Sequence, residues 1–251
     1  MLRGIIFTSV YYVLSVIYVL AALPTLLFPG RGATQFVIRS YTRAVRYALL
    51  AIAGISTDIR GKHRLPDGPF IIAAKHQSWG DGFLIYPEVH NLSFVTGDHL
   101  ERFPLVGRIL NKLGAIIIDT CGGGDRKAKS LAEGMVKARA EGVRVLVYPE
   151  GHLAAPGTHY RYKPGVWHMQ KAMNVPVVPV ATNLGLYWQQ QKLAKTPGRA
   201  VVEFLEPIPP GFGKEAFIEK LSNTIEDRVL DLYRESREEN AEPSILLPDP
   251  N

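Results

Sequence analysis

The 251-residue chain has a single cysteine, Cys121, so it forms no intramolecular disulfide and has no cysteine cluster for zinc or iron–sulfur chemistry. That thiol reads as incidental. No Gly-x-Ser-x-Gly elbow occurs, which removes the usual hydrolase nucleophile, and Ser78 stands too near His76 to complete an independent triad. Neither a full dinucleotide fingerprint nor a P-loop is present, so Gly122, Gly123 and Gly124 read as a turn before a helix. His152, His159 and His168 lack ligand spacing and read as loop or helix histidines, with no metal expected. Internal repeats and low-complexity tracts are absent. The most telling gap is the absence of any charged residue from Gly4 to Pro29. Such a run is long enough to cross a bilayer, too long for a usual signal core, and ends in no small-residue cleavage site.

What is present fits one catalytic domain with a membrane element, since 47% of the residues are hydrophobic. A formal charge of +6 calls for an anionic partner. Scattered basic residues beside an apolar N-terminus point to an anionic membrane surface rather than to nucleic acid. Thr34 to Ser56 has helical periodicity, with Arg39, Arg43 and Arg46 recurring beside Phe36, Val37, Tyr41, Val45 and Leu49. This face either lies on anionic lipid or packs on the domain. Residues 1–60 are therefore expected to form a membrane-associated helical hairpin, spanning or dipping into one leaflet. Arg31, Arg39, Arg43 and Arg46 follow the apolar run, which places the catalytic domain on the cytoplasmic face.

After Pro66-Asp67-Gly68, short apolar runs alternate with polar helical stretches: Pro69 to Ala74, Leu92 to Thr96, Ala115 to Ile118, Val143 to Tyr148, Val175 to Val180 and Ala200 to Leu205. Runs of this kind read as buried strands. Ala128, Leu131, Met135 and Ala138 form a helical stripe opposite Arg126, Lys127, Lys129, Lys137 and Arg139. The alternation predicts an α/β domain over 61–234, with a central mostly parallel or mixed sheet flanked by helices. Phe217, Leu221, Ile225, Val229 and Leu232 mark a closing helix, and the acidic, proline-bearing stretch 235–251 reads as a loosely ordered tail.

Chemistry is suggested at the end of the first of those strands, where His76 and Asp81 stand with four residues between them. His76 is able to take a proton near neutral pH, and Asp81 to orient its ring and stabilise its charged form. On one continuous helix, five residues would turn the two side chains about 140° apart. The pair therefore needs His76 in a loop and Asp81 in the first turn of the next helix. A capped helix with a surface histidine would show the same spacing.

Three further blocks give the pair its context. Lys75-His76-Gln77-Ser78-Trp79-Gly80-Asp81, then Gly114 to Asp119, Tyr148-Pro149-Glu150-Gly151 and Val175 to Val180 resemble, in order and separation, the four blocks of the glycerolipid acyltransferase family. The resemblance covers nearly everything before the tail. It implies transfer of an acyl group from a fatty acyl thioester, on coenzyme A or acyl carrier protein, to a hydroxyl of a lysolipid, with no other cofactor. The implied acceptor is 1-acylglycerol-3-phosphate, giving phosphatidic acid in phospholipid biosynthesis. His76 would be general base and Asp81 its orienter, with no acyl-enzyme intermediate. Gln77, Ser78, Gly114, Thr120, Glu150 and Gly151 fall at substrate-binding positions.

The chain departs from the family pattern where acceptor phosphate is recognised. The second block usually ends in Arg and here has Thr120; the third usually reads Glu-Gly-Thr-Arg and here runs Glu150-Gly151-His152-Leu153. Neither Thr nor Leu replaces a bidentate guanidinium. The positive charge is either relocated, to Arg126, Lys127, Arg161 or Lys163 with Arg161 foremost, or the acceptor is a lysolipid without a phosphomonoester, for example an amino-acid-containing one. A noncatalytic lipid-binding homologue is a further alternative. Trp79, Trp167 and Trp188 line an acyl tunnel, mark the membrane boundary or pack in the core.

Overall fold

The computed structural model describes residues 1–97, 104–118, 124–190 and 192–241, with the backbone alone at 104, 124–130, 240 and 241. Helix α1 (Leu2–Ala22) and helix α2 (Gly32–Ala53) form the expected hairpin through a 3₁₀ turn at Pro24–Leu27. Ser15 and Tyr41 hydroxyls meet at 2.6 Å and Thr25 and Thr34 at 2.9 Å, pinning the two helices side by side. Both ends of α1 rest on the globular part. Near its start Phe7 sets its ring edge-on to Trp188 at 5.0 Å, and at its finish Ala22 is buried with Ile109 and Leu113. The outer face, with Ile6, Tyr12, Val13, Val16, Ile17 and Leu20, is exposed. An exposed apolar stripe of this length marks contact with another apolar phase.

The arginines of α2 do not form the lipid-facing row that their spacing allows. Arg39 donates to the carbonyls of Pro87 and Val89, Arg46 bonds Thr57 and Glu88, and Arg31 bonds Glu141. They fasten the hairpin to the domain, leaving Arg43 exposed without such a tie. The hairpin also ends earlier than expected, because Gly54, at φ +71°, closes α2 in the left-handed conformation that favours glycine. Residues 55–60 then form strand β1 (Ile55–Arg60), paired in parallel with the last strand, so the boundary lies at Gly54 and not after residue 60.

Six further strands follow: β2 (Ile71–Ala74), β3 (Leu92–Gly97), β4 (Ile116–Ile118), β5 (Arg144–Val147), β6 (Val177–Thr182) and β7 (Gly198–Phe204). Their order is β1-β7-β6-β2-β5-β3-β4, a mixed sheet in which β7 runs antiparallel to β6 and all other neighbours are parallel. Each predicted strand is present, and β2 and β6 are buried throughout, as their unbroken apolar runs require.

The connections decide where a site can form. From β2 the chain passes through α3 (Asp81–Ile85) on the face carrying α1 and α2, where Leu84, Ile85 and Tyr86 pack with Leu49, Ile72 and Leu146. Between β3 and β4 lies α4 (Pro104–Leu113), and between β4 and β5 lies α5 (Gly124–Ala140). From β5, the neighbour of β2, the chain leaves to the opposite face through α6 (Gly165–Met173), where Val166, Met169 and Met173 pack with Ile71 and Val145. Loops diverging from adjacent parallel strands open a crevice at their carboxyl ends. His76 follows β2 and Tyr148 follows β5, so both sit at that crevice.

The closing helix α7 spans Lys214–Ala241 and extends past the boundary expected at residue 234. Phe217, Leu221, Ile225, Val229 and Leu232 form its buried stripe, each contributing about 1.5–3 kcal/mol. Glu235 is no part of a loose tail, because its carboxylate pairs with Arg60 at 2.7 Å and Arg228 at 2.8 Å. Those partners lie far off in sequence or on the same helix and neutralise the charge that made the segment look unstructured. Residues 242–251 fall outside the described residues.

Candidate active site

The turn after β2 has the loop-to-helix form that the His76–Asp81 spacing requires. Lys75 N–H donates to the Val180 carbonyl at 2.9 Å, continuing the sheet for one residue. Asp81 then opens α3, and its amide bonds the Ser78 carbonyl at 3.2 Å. Gly80 lies so close to Trp188 that a β-carbon there would come 2.5 Å from the indole. Only glycine fits without displacing that buried ring, which explains its place between Trp79 and Asp81.

Asp81 is fully buried, and a single oxygen, Oδ2, accepts three bonds: from the Gln77 amide at 2.7 Å, the Ser78 amide at 2.9 Å and His76 Nδ1 at 3.0 Å. With its proton on Nδ1, the neutral imidazole carries its lone pair on Nε2, the nitrogen turned away from Asp81. The His76 side chain is 22% exposed and that of Asp81 fully buried, so the imidazole is reachable and the carboxylate is not. Tyr148 stacks on the imidazole with ring centroids 3.8 Å apart and planes 15° off parallel. Burial first, and the Asp81 charge second, hold its phenol well above the usual tyrosine range, so the ring stays neutral.

Beneath this pair lies a buried ion cluster. Lys75 Nζ, with no exposed surface, contacts Glu226 at 2.8 and 3.0 Å, Glu150 at 3.1 Å and the Thr158 carbonyl at 3.1 Å. Tyr162 donates to Glu226 at 2.8 Å, and Glu150 accepts the Tyr160 amide at 2.7 Å. This ammonium ties the turn after β2, the third block and α7 to the irregular loop between Gly151 and Pro164. The Ala154 amide adds a bond of 2.8 Å to the His76 carbonyl.

Several residues expected to bind substrate are built into the scaffold instead. Glu150 is 1% exposed and occupied by Lys75 and Tyr160. Gln77 is buried and donates to the Tyr233 hydroxyl, while Ser78 accepts the Gly80 amide at 3.0 Å. Gly114 precedes β4, at the end of the sheet away from His76, because β4 runs parallel to β2. There, at φ +78°, it ends α4 with bonds from Gly114 to Asn111 at 3.0 Å and Ala115 to Leu110 at 2.9 Å. Thr120 lies outside the described residues, as do the side chains of Arg126 and Lys127. Gly151, at φ +70°, does turn at the crevice, and a β-carbon on it would collide with the Lys163 ammonium. Lys163 is exposed, and its amide bonds the Pro149 carbonyl at 2.8 Å; Arg161, two residues before it in the same loop, is exposed too.

Trp188 is core, Trp167 bonds the Phe212 carbonyl, and Trp79 is 48% exposed in the turn between His76 and Asp81. Among the described residues, no group of three His, Cys, Asp or Glu side chains converges as metal ligands. Tyr148, Glu226 and Tyr233 were not singled out by sequence. Tyr148 stands in the third block and was open to notice; the other two occupy ordinary polar positions of α7.

Residues 56–183, which carry all of this machinery except α7, match the family model described as Acyltransferase. The chain belongs to the acyltransferase family. Among curated acyltransferases it is 30% identical over 172 residues to the 1-acyl-sn-glycerol-3-phosphate acyltransferase of Pseudomonas aeruginosa, covering 68% of this chain and 66% of that protein. It is 25% identical over 219 residues to the alpha form from Ovis aries, covering 85% and 74%. The solved structure of the 1-acyl-sn-glycerophosphate acyltransferase PlsC from Thermotoga maritima superposes with a TM-score of 0.75 at 23% identity. That match covers 92% of this chain and 97% of the other, and gives the fold.

Proposed function

We propose that this acyltransferase moves a fatty acyl group from a coenzyme A or acyl carrier protein thioester to the free hydroxyl of 1-acylglycerol-3-phosphate, forming phosphatidic acid. The observation that carries the reading is the His76 imidazole, held through Nδ1 by buried Asp81 and open at Nε2. Nε2 takes the hydroxyl proton as the oxygen attacks the thioester carbonyl. Collapse of the tetrahedral intermediate forms the ester and expels the thiolate, which recovers the proton from the imidazolium. Base catalysis of this kind contributes about 10²–10⁴-fold, and holding two reactants together adds more.

Lys163 is the residue we assign to the acceptor phosphate, replacing the guanidinium missing at Leu153. Its ammonium lies over Gly151 at the mouth of the crevice and has no partner among the described residues. A charged hydrogen bond is worth about 1.5–3 kcal/mol. Lys163→Ala should therefore raise the KM for 1-acylglycerol-3-phosphate about 10- to 100-fold, with little change for a lysolipid lacking the phosphomonoester. Thiol release and acylated product, measured with both acceptors, check this. Equal wild-type rates on the two would favour the other acceptor class, for which Leu153 argues, and Arg161→Ala in parallel tests the neighbouring cation. Thiol release without acylated lipid would mean hydrolysis, and no turnover with any acceptor a binding role.

We read the reaction as taking place at a membrane, on its cytoplasmic face; the exposed apolar stripe of α1 and the arginines that follow the apolar run support this. Because both ends of α1 touch the domain, the helix, about 31 Å long, is read as lying in one leaflet. In a Cys121→Ser background, Leu2→Cys and Phe28→Cys should both react with an impermeant maleimide from the same side of sealed vesicles. Labelling from opposite sides would make α1 a span.

A further inference from the structure

Acidic residues are unevenly distributed along the chain. No Asp or Glu occurs from Met1 to Thr57, nor again from Gly151 to Val202, although both stretches carry Lys and Arg. Distant in sequence, the two stretches meet in the fold. Gly4 sits against the carbonyl of Leu193, leaving no room for a β-carbon, and Phe7 and Tyr11 both pack on Trp188. The Gly198 amide bonds the Gly54 carbonyl at 3.1 Å, closing the loop between Trp188 and β7 onto the hairpin.

That loop gives the start of α1 a basic margin. Arg3 and Lys192 are exposed and have no carboxylate partner among the described residues. Lys195 turns its ammonium onto the carbonyls of Lys192 at 2.6 Å and Leu193 at 3.3 Å, which holds the loop in shape. Beside these charges lie Leu2 at 71% exposure and Leu193 at 53%. The apolar stripe of α1 runs on from them through Ile5, Ile6, Tyr12 and Val13. Of the other cations of the hairpin, Arg31, Arg39 and Arg46 are bound inward, and Arg43 is exposed on α2, away from the start of α1 in sequence. Exposed leucines flanked by the unpaired cations Arg3 and Lys192 match an interface where acyl chains adjoin anionic headgroups.

We propose that Arg3 and Lys192 form an anionic-phospholipid contact, a basic collar at the N-terminal end of α1 that sets how the enzyme sits on its membrane. The occupant is a bilayer surface rather than a soluble anion, because the charges flank exposed leucines and continue an apolar stripe. The collar adjoins the catalytic turn through Trp188, whose ring packs on both Phe7 and Gly80.

A competition between two vesicle populations isolates the charge contribution from apolar insertion. The full-length protein is offered phosphatidylcholine vesicles and equimolar phosphatidylcholine–phosphatidylglycerol vesicles, one population made dense for separation. The distribution ratio should favour the anionic vesicles, fall about fivefold with each of Arg3→Gln and Lys192→Gln, and collapse at high salt. Lys220→Gln, on exposed α7 at the opposite face, should leave the ratio unchanged. A ratio unmoved by the double variant R3Q/K192Q overturns the proposal, as does an equal fall with Lys220→Gln, which would assign the preference to net charge. An unmoved ratio with weakened binding of acyl carrier protein would assign the collar to an acidic protein instead.

Discussion

His76→Ala is expected to lower kcat by about 10²–10⁴-fold, the contribution of a positioned general base, while KM for both substrates stays within a few-fold. The asymmetry follows from the site. The imidazole is held from below by Asp81 and from one face by Tyr148, so deleting it removes the proton acceptor and leaves the crevice walls standing. Asp81→Asn tests the same geometry differently. An amide in that place presents N–H to a ring nitrogen that also carries a proton, which favours the other tautomer and puts the lone pair on the wrong nitrogen. In a catalytic triad the wrong tautomer costs about 10⁴-fold. Steady-state rates of both variants, with circular dichroism to verify the fold, check the pair; a variant retaining wild-type kcat would remove His76 from the chemistry.

Lys75→Met should be the most destabilising single change. The substitution leaves Glu150 and Glu226 facing each other, one of them 1% exposed, without the ammonium between them. Breaking a buried pair by removing one partner costs about 3–5 kcal/mol, which lowers Tm by roughly 6–20 °C at this chain length. Adding Glu226→Gln removes one of the stranded charges and should recover part of the loss. Thermal unfolding of the single and double variants in detergent tests this coupling. Simple additivity of the two changes would show that Lys75 and Glu226 do not act together.

What the sequence made legible was mostly local. The buried strands announced themselves by unbroken apolar runs, and the His76–Asp81 spacing demanded the loop-to-helix turn that is present. Features set by distant partners were hidden. Ile55–Arg60 has aliphatic residues only at Ile55 and Ile59, the spacing of one helical turn, so it reads as the end of a helix unless β7 is there to pair with it. Gly114 belonged to a recognisable block, but which end of a strand faces the crevice depends on topology and not on the block. Glu150 looked available because nothing nearby in sequence shows that Lys75 and the Tyr160 amide occupy it. The arginines of α2 had the spacing of a lipid-facing row, and the carbonyls and carboxylates that claim them lie in other parts of the chain.

His76 stands two residues beyond the central, fully buried strand β2, whereas Lys163 and Arg161 stand on an irregular loop pegged to the domain at a few points. On the proposed reading, proton transfer and headgroup choice are mounted on separate pieces of chain joined at a few contacts. On that reading, exposed side chains of the loop can change while the Ala154 amide, bonded to the His76 carbonyl, keeps the imidazole in place.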